Sequence, residues 1–209
     1  MEIEVWSDVV CPWCYIGKRR LERALERYPG RAGVTVRFRS FQLDPSAPVG
    51  SEERVLDSLS RKYGVPKEQA QAMTDNVARL AAAEDLEFDF SNSKVENTFD
   101  AHRLLHLAAA HGKQVELKER LFAANFCDGE RVGEAATLQR LGEEVGLPAD
   151  DVRATLADPA RYRDAVRADQ QAAQRLNVRG VPFFVFGGKV GVSGAQPVDT
   201  LLAAMARAG

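Results

Sequence analysis

Cysteine is scarce in this chain, with three among 209 residues, and histidine is equally rare. A structural zinc site is excluded on that count. Beyond Cys11 and Cys14 the only cysteine is Cys127, and no second Cys or His stands beside it to complete a further knuckle. A formal net charge of −2 denies the chain the broad basic field that nucleic acid or an anionic membrane would require. No apolar run is long enough to span a bilayer. Met1-Glu2-Ile3-Glu4 lacks the basic and apolar sections of a secretory leader. A cytoplasmic setting is therefore the expectation, and there two closely spaced cysteines are catalytic rather than structural. Internal repeats and low-complexity linkers are also absent.

What is present is 45% hydrophobic and 28% charged residues, enough to bury a substantial core in one compact domain or two closely joined ones. The informative segment is Cys11-Pro12-Trp13-Cys14, which follows the short strand pattern Ile3 to Trp6 and opens a long amphipathic helix. At a helix start the first N–H groups lack partners and the dipole favours an anion, so Cys11 is expected to ionise readily and act as nucleophile. Pro12 suits the first helical position. Cys14, one turn on, is placed to close a small disulfide ring and serve as the resolving thiol. Two small buried hydrophobes on a helix is the bland alternative, and it leaves the strand, Pro12 and helix arrangement unexplained.

Leu21, Leu25 and Tyr28 continue the first helix to Pro29-Gly30, and Val34, Val36 and Phe38 alternate with polar residues as a half-buried strand. These pieces read as βαβ. From residue 45 to 177 the pattern is helical: apolar stripes Val55, Leu56, Leu59, Tyr63 and Met73, Val77, Leu80 read as packing faces, and further helices are predicted around Phe99 to Leu107, Leu117 to Phe122, Leu138 to Val145 and Tyr162 to Leu176. The end, Phe183 to Phe186, Gly187-Gly188, Val190 to Val192 and a helix through Leu201, Leu202 and Met205, is a hairpin plus helix. The fold class is α/β: a thioredoxin-like domain, residues 1–44 and 178–209, interrupted by a helical insertion over 45–177.

Cys11 to Lys18, Ala101-His102-Arg103-Leu104, Gly180-Val181-Pro182-Phe183-Phe184 and Ser193-Gly194-Ala195-Gln196 together resemble the FrnE-like branch of the DsbA family over nearly the whole chain. The resemblance implies a thiol–disulfide oxidoreductase with the helical domain set over the redox helix and, in some members, an association with polyketide biosynthesis. It also implies a cis Val181–Pro182 bond facing the cysteines, although an isolated Val-Pro would by itself read as a trans strand edge. Potentials on related folds run from about −270 to about −120 mV, so direction does not follow from fold. Trp13 stands where periplasmic oxidants of the family often carry histidine, which implies a less extreme oxidant.

No metal or organic cofactor is expected beyond the redox-active Cys11–Cys14 disulfide, with glutathione as a candidate co-substrate. A thiol or disulfide substrate and a recycling partner are expected, the substrate meeting Pro12, Trp13, Val181 and Pro182. His102 is a candidate to line the site or to satisfy a backbone group; its spacing to His106 suits a metal, but no third ligand is evident. Cys127 is expected to be packed, and Asp8 is equally suited to proton transfer or to capping. The fold also resembles kappa-class glutathione transferases and 2-hydroxychromene-2-carboxylate isomerases, whose catalytic position is typically serine, so Cys11 argues against that alternative. A non-catalytic binding protein is a third reading.

Overall fold

The computed structural model describes residues 1–209. Its first elements are β1 (Glu2–Ser7), α1 (Pro12–Arg27) and β2 (Thr35–Ser40). Seven helices follow: α2 (Val55–Tyr63), α3 (Lys67–Ala82), α4 (Phe99–Ala110), α5 (Gln114–Phe126), α6 (Ala135–Glu144), α7 (Ala149–Ala157) and α8 (Arg163–Arg175). The chain closes with β3 (Phe183–Phe186), β4 (Val190–Ser193) and α9 (Val198–Ala208). The sheet order is β2-β1-β3-β4, with β1 and β2 parallel and the other pairs antiparallel. A helical crossover joins the parallel pair, as its geometry demands.

Strand alternation decides what each face meets. Ile3, Val5, Phe38, Phe184 and Phe186 point to one side and pack on Leu21 and Ala24 of α1 and on Leu201 and Met205 of α9. Trp6 and Val185 point to the other side and pack on Ala173 of α8. A second core joins the helices through Leu104, Leu107, Leu117, Leu121, Leu138, Leu141 and Val152. Each such side chain contributes about 1.5–3 kcal/mol when fully buried. Val9, from the loop between β1 and α1, is buried in this helical core. The segment that leads into the cysteines is thereby anchored in the helical layer.

Two expectations need correction at this level. The α2 stripe packs only in part: Val55, Leu56 and Leu59 are half-buried with α3 alongside, no residue of α2 is fully buried, and Tyr63 is 54% exposed. Met73 is also exposed, whereas Val77 and Leu80 on the same helix do pack inward. An apolar stripe shows that a helix is amphipathic, but only its neighbours decide whether water is excluded. Helix α7 has no counterpart among the predicted helices, because Val152 and Leu156 alone give too short a period to stand out. Phe184 is a core residue stacked on Phe186, and Phe183 packs edge-on against Trp6.

Candidate active site

Cys11 is the N-cap residue of α1, with extended backbone, and Pro12 is the first helical residue. The N–H of Cys14 donates to the Cys11 carbonyl over 3.0 Å, which folds the two thiols onto one helical turn. Both cysteines are buried and unbonded, while Trp13 beside them is 38% exposed. No acidic residue occupies the first turn of α1, so nothing there cancels the positive end of the helix.

Across from the helix start, the Cys11 Sγ–H donates to the Val181 carbonyl over 3.5 Å. The Val181–Pro182 peptide bond is cis, and the Pro182 carbonyl accepts from the N–H of Gly194 over 2.8 Å. Helix α1 approaches Pro182 closely because residue 17 is glycine: a Cβ there would lie 2.9 Å from Pro182 Cγ and 3.3 Å from Phe184 Cζ. Ala195 and Val181 pack on the cluster containing both cysteines, and Arg20 donates to the Ala195 carbonyl. Cys11, Cys14, Val181 and Pro182 therefore meet, with Pro12 and Trp13 at the rim. Two surface cavities, of about 590 and about 420 Å³, lie elsewhere and include neither cysteine.

The expected easy ionisation of Cys11 is offset in the reduced pair. Its thiol is pushed well above the ordinary range, first by the hydrogen bond with Cys14, then by burial and by the charge Cys14 would carry. Two thiols this close carry one negative charge between them before they carry two. The helix start favours that single charge, and burial resists the second.

Asp8 caps no helix. Its carboxylate accepts from the N–H groups of Val9 and Leu43, each over 2.8 Å, and lies 3.1 Å from His102 Nε2. Its main-chain carbonyl accepts from the Cys11 N–H. Burial resists ionisation of Asp8, yet the His102 hydrogen bond and the other partners hold its pKa below the usual value. His102 is buried as well, and desolvation lowers its pKa. His102 thus stands one residue contact behind the cysteine loop, facing Asp8 through α4. His106, one turn on, faces Asp169 and Ser40 instead, so the two imidazoles serve separate carboxylates. No group of three or more His, Cys, Asp or Glu is arranged to hold a metal.

The helical layer supplies the rest of the surroundings. Tyr15 stacks on Phe122 at 4.8 Å between centroids, and Phe88 stacks on Phe126 at 4.7 Å. The Tyr15 hydroxyl donates to Glu119 over 2.6 Å, and Glu119 also accepts from Lys18 and Arg19. Cys127 is exposed, not packed: it caps the end of α5 where the chain turns outward, and partial burial beside Asp128 and Glu119 raises its pKa.

Lys118 escaped the sequence reading. It is wholly buried on α5, its Nζ 3.5 Å from the Ser7 carbonyl, 4.8 Å from the Phe122 centroid and 5.7 Å from that of Phe38. The available signal was its position three and four residues before Leu121 and Phe122, on the face that is otherwise apolar.

Comparison with known proteins places this geometry. Residues 2–206 match the family model described as DSBA-like thioredoxin domain. The crystal structure of a probable DsbA oxidoreductase from Streptomyces coelicolor is 46% identical, covers 100% of this chain and 89% of its own, and superposes with a TM-score of 0.95. At lower identity the likeness is one of fold. The cytosolic disulfide reductase DsbM of Pseudomonas aeruginosa, solved with glutathione, is 20% identical, with 99% and 98% coverage and a TM-score of 0.65. A 2-hydroxychromene-2-carboxylate isomerase is 17% identical, with 99% and 95% coverage and a TM-score of 0.71. With the family model running from β1 into α9 and two thiols at the start of the helix between the parallel strands, the chain belongs to the DSBA-like thioredoxin family of disulfide oxidoreductases.

Proposed function

We propose that the chain carries out dithiol–disulfide exchange through Cys11 and Cys14. The observation that carries this reading is the placement of both thiols on the first turn of α1, with Cys11 Sγ against the Val181 carbonyl and the more exposed Trp13 beside it. A substrate thiolate attacks Cys11 Sγ of the disulfide, Cys14 leaves as thiolate, and a second substrate thiol resolves the mixed disulfide. Reduction of a substrate disulfide runs the same steps backwards from the Cys11 thiolate.

Pro12, Trp13, Val181 and Pro182 form the rim on which a peptide or small thiol rests. Glutathione is the small thiol of choice, on the strength of the glutathione-bound reductase of the same fold. His102 acts behind the site, through Asp8, rather than on substrate. The reaction uses no metal or organic cofactor. We assign the chain to the FrnE-like branch and to the cytoplasm on sequence resemblance and on the cytosolic setting of the glutathione-bound reductase; a role in polyketide biosynthesis rests on that branch alone. No helix is long and apolar enough to cross a membrane.

The test is a titration against glutathione redox buffers, with Cys11 and Cys14 followed by thiol-trapping mass spectrometry. A reversible two-electron transition, lost in Cys11→Ser and in Cys14→Ser, is expected, with a midpoint that gives the direction. A pair that never cycles sinks the reading and leaves glutathione-dependent isomerisation, whose enzymes share the fold, or binding without turnover.

A further inference from the structure

Lys118 has no part in the exchange as described, yet it sits within the site's electrostatic reach. A buried ammonium without a carboxylate is costly. Here its hydrogen-bond partner is the Ser7 carbonyl at 3.5 Å, supplemented by the faces of Phe122 and Phe38. Phe122 belongs to the same buried cluster as Cys11 and Cys14, and Ser7 is the last residue of β1 before the loop that leads to Cys11. The hydroxyl of Ser7 is itself buried without a partner. The ammonium is thus lodged at the β1 end, over a ring of the cluster that holds both cysteines.

The charges that bear on it are few. Cys14, Asp8 and Cys11 attract it, and Lys18 of α1 and His102 of α4 oppose it. Desolvation lowers the pKa of Lys118 to about 8, and a thiolate on Cys14 is the leading influence in the other direction. Asp8 is already engaged by His102 and by two main-chain N–H groups. The charge that comes and goes in front of Lys118 is that of the cysteine pair.

We propose that Lys118 is the counter-charge of the reduced pair, a positioning residue that offsets the negative charge left on Cys14 when the Cys11–Cys14 disulfide opens. The inference rests on the exchange reading. As substrate sulfur bonds to Cys11 Sγ, the Cys11–Cys14 bond breaks and its electron pair goes to Cys14 Sγ. Lys118 holds that thiolate without taking part in bond formation. A second substrate thiolate then takes the substrate sulfur from Cys11, which leaves the substrate oxidised and the pair reduced. Because a nearby cation favours the thiolate, it stabilises the reduced form wherever that form is ionised and makes the disulfide more oxidising there. The cation comes from the helical layer, not from the dipeptide between the cysteines.

Lys118→Met in the full chain removes the charge and keeps the length of the side chain. Reduced protein carrying Cys127→Ser, so that only Cys11 and Cys14 contribute, is titrated by thiolate ultraviolet absorbance, and the disulfide is equilibrated with glutathione. The expected result is about a tenfold fall in thiolate fraction at a given pH below the pKa and, in buffer alkaline enough for the reduced pair to be ionised, a disulfide about tenfold harder to reduce, equivalent to about 30 mV. Lys118→Arg restores both toward wild type. Values within about twofold of wild type in Lys118→Met overturn the inference. A wild-type pair that fails to cycle defeats the exchange reading alone, since the thiolate titration needs no turnover. Should the methionine variant not fold, NMR of the Lys118 side-chain carbon next to Nζ decides in the wild-type protein. Linkage is reciprocal, so Lys118 titrates higher in the dithiol than in the disulfide form, and identical titration in the two forms overturns the proposal.

Discussion

Residues 118 and 119 are neighbours on α5, and they meet the redox helix in opposite ways. Glu119 closes a saturated ionic cluster: Lys18 Nζ lies 2.5 Å from it and 2.5 Å from Glu22, Arg19 donates over 2.8 Å, and the Tyr15 hydroxyl completes the set. Lys18 is buried but has two carboxylates; Lys118 is buried and has a carbonyl and two rings. A saturated cluster holds two elements together, and its charges have nowhere else to act. An under-partnered charge in a medium of low dielectric has a free energy that depends on whatever ionises nearby. The first arrangement docks α5 on α1, and the second makes the docked α5 sensitive to the state of the cysteines.

The largest effect expected from this contrast is the loss of Glu119. Glu119→Ala strips partners from buried Lys18 and from Tyr15 at once, with Glu22 left as partial compensation. Breaking a buried pair costs about 3–5 kcal/mol, and the partly exposed carboxylate brings that to about 2–3 kcal/mol, read by chemical denaturation. With Cys127 replaced by serine, the thiolate titration of the Cys11–Cys14 pair stays near wild type in this variant; a shift as large as that of Lys118→Met would erase the distinction between the neighbours.

Lys118→Met is expected to do the reverse, raising stability by about 1–3 kcal/mol because a buried cation gives way to an apolar side chain of similar reach. The pH dependence sharpens this. With a folded pKa of about 8, below the ordinary 10.5, Lys118 binds its proton less well in the folded chain than in the unfolded one. The unfolded state therefore carries more protons between those values, and stability rises with pH from about 8 toward 10.5. Denaturation of the disulfide form, which has no thiols to titrate at this site, should show that rise in wild type, starting below the value of about 8 that holds for the dithiol, and not in Lys118→Met.

A smaller acid-side slope belongs to the pair behind the loop. His102 and Asp8 both have folded pKa values below their ordinary ones, so the stability they contribute is present at neutral pH. It is lost as pH falls below 6.5 for His102, and below 3.8 for Asp8, through the respective folded values. His102→Gln should flatten the first part of that loss in urea denaturation measured across pH. The smallest effect is expected where both partners face water. Arg27 and Asp199 pair over 2.9 Å on the surface between α1 and α9, and Arg27→Ala should cost less than about 0.5 kcal/mol. A larger loss there would mean that exposed pairs, too, hold the helices in place.

Much of the redox half is legible along the chain because its signals are local. Pro12 after an extended Cys11, the alternation of Val34, Val36 and Phe38, and Gly187-Gly188 between two short apolar runs each describe a few residues and their immediate hydrogen bonds. Signals that need a partner mislead. The α2 stripe is as apolar as a packing face but is only half-covered, by α3, and Cys127 beside Phe126 looks packed until α5 ends and turns it outward. Asp8 is ambiguous on the chain and becomes specific once Leu43 and His102, 35 and 94 residues away, arrive at its two oxygens.

The sequence by itself determined where the thiols stand, which strands flank them and, α7 apart, which chain segments form helices, since spacing and backbone preference act over a turn or a strand. Tertiary structure alone decided the electrostatic setting of those thiols. The Val181 carbonyl lies 170 residues from Cys11, and the Lys118 ammonium comes within reach of Ser7 from 111 residues away. Charge interactions are governed by distance and burial, and both are properties of the packed molecule, not of the order of residues.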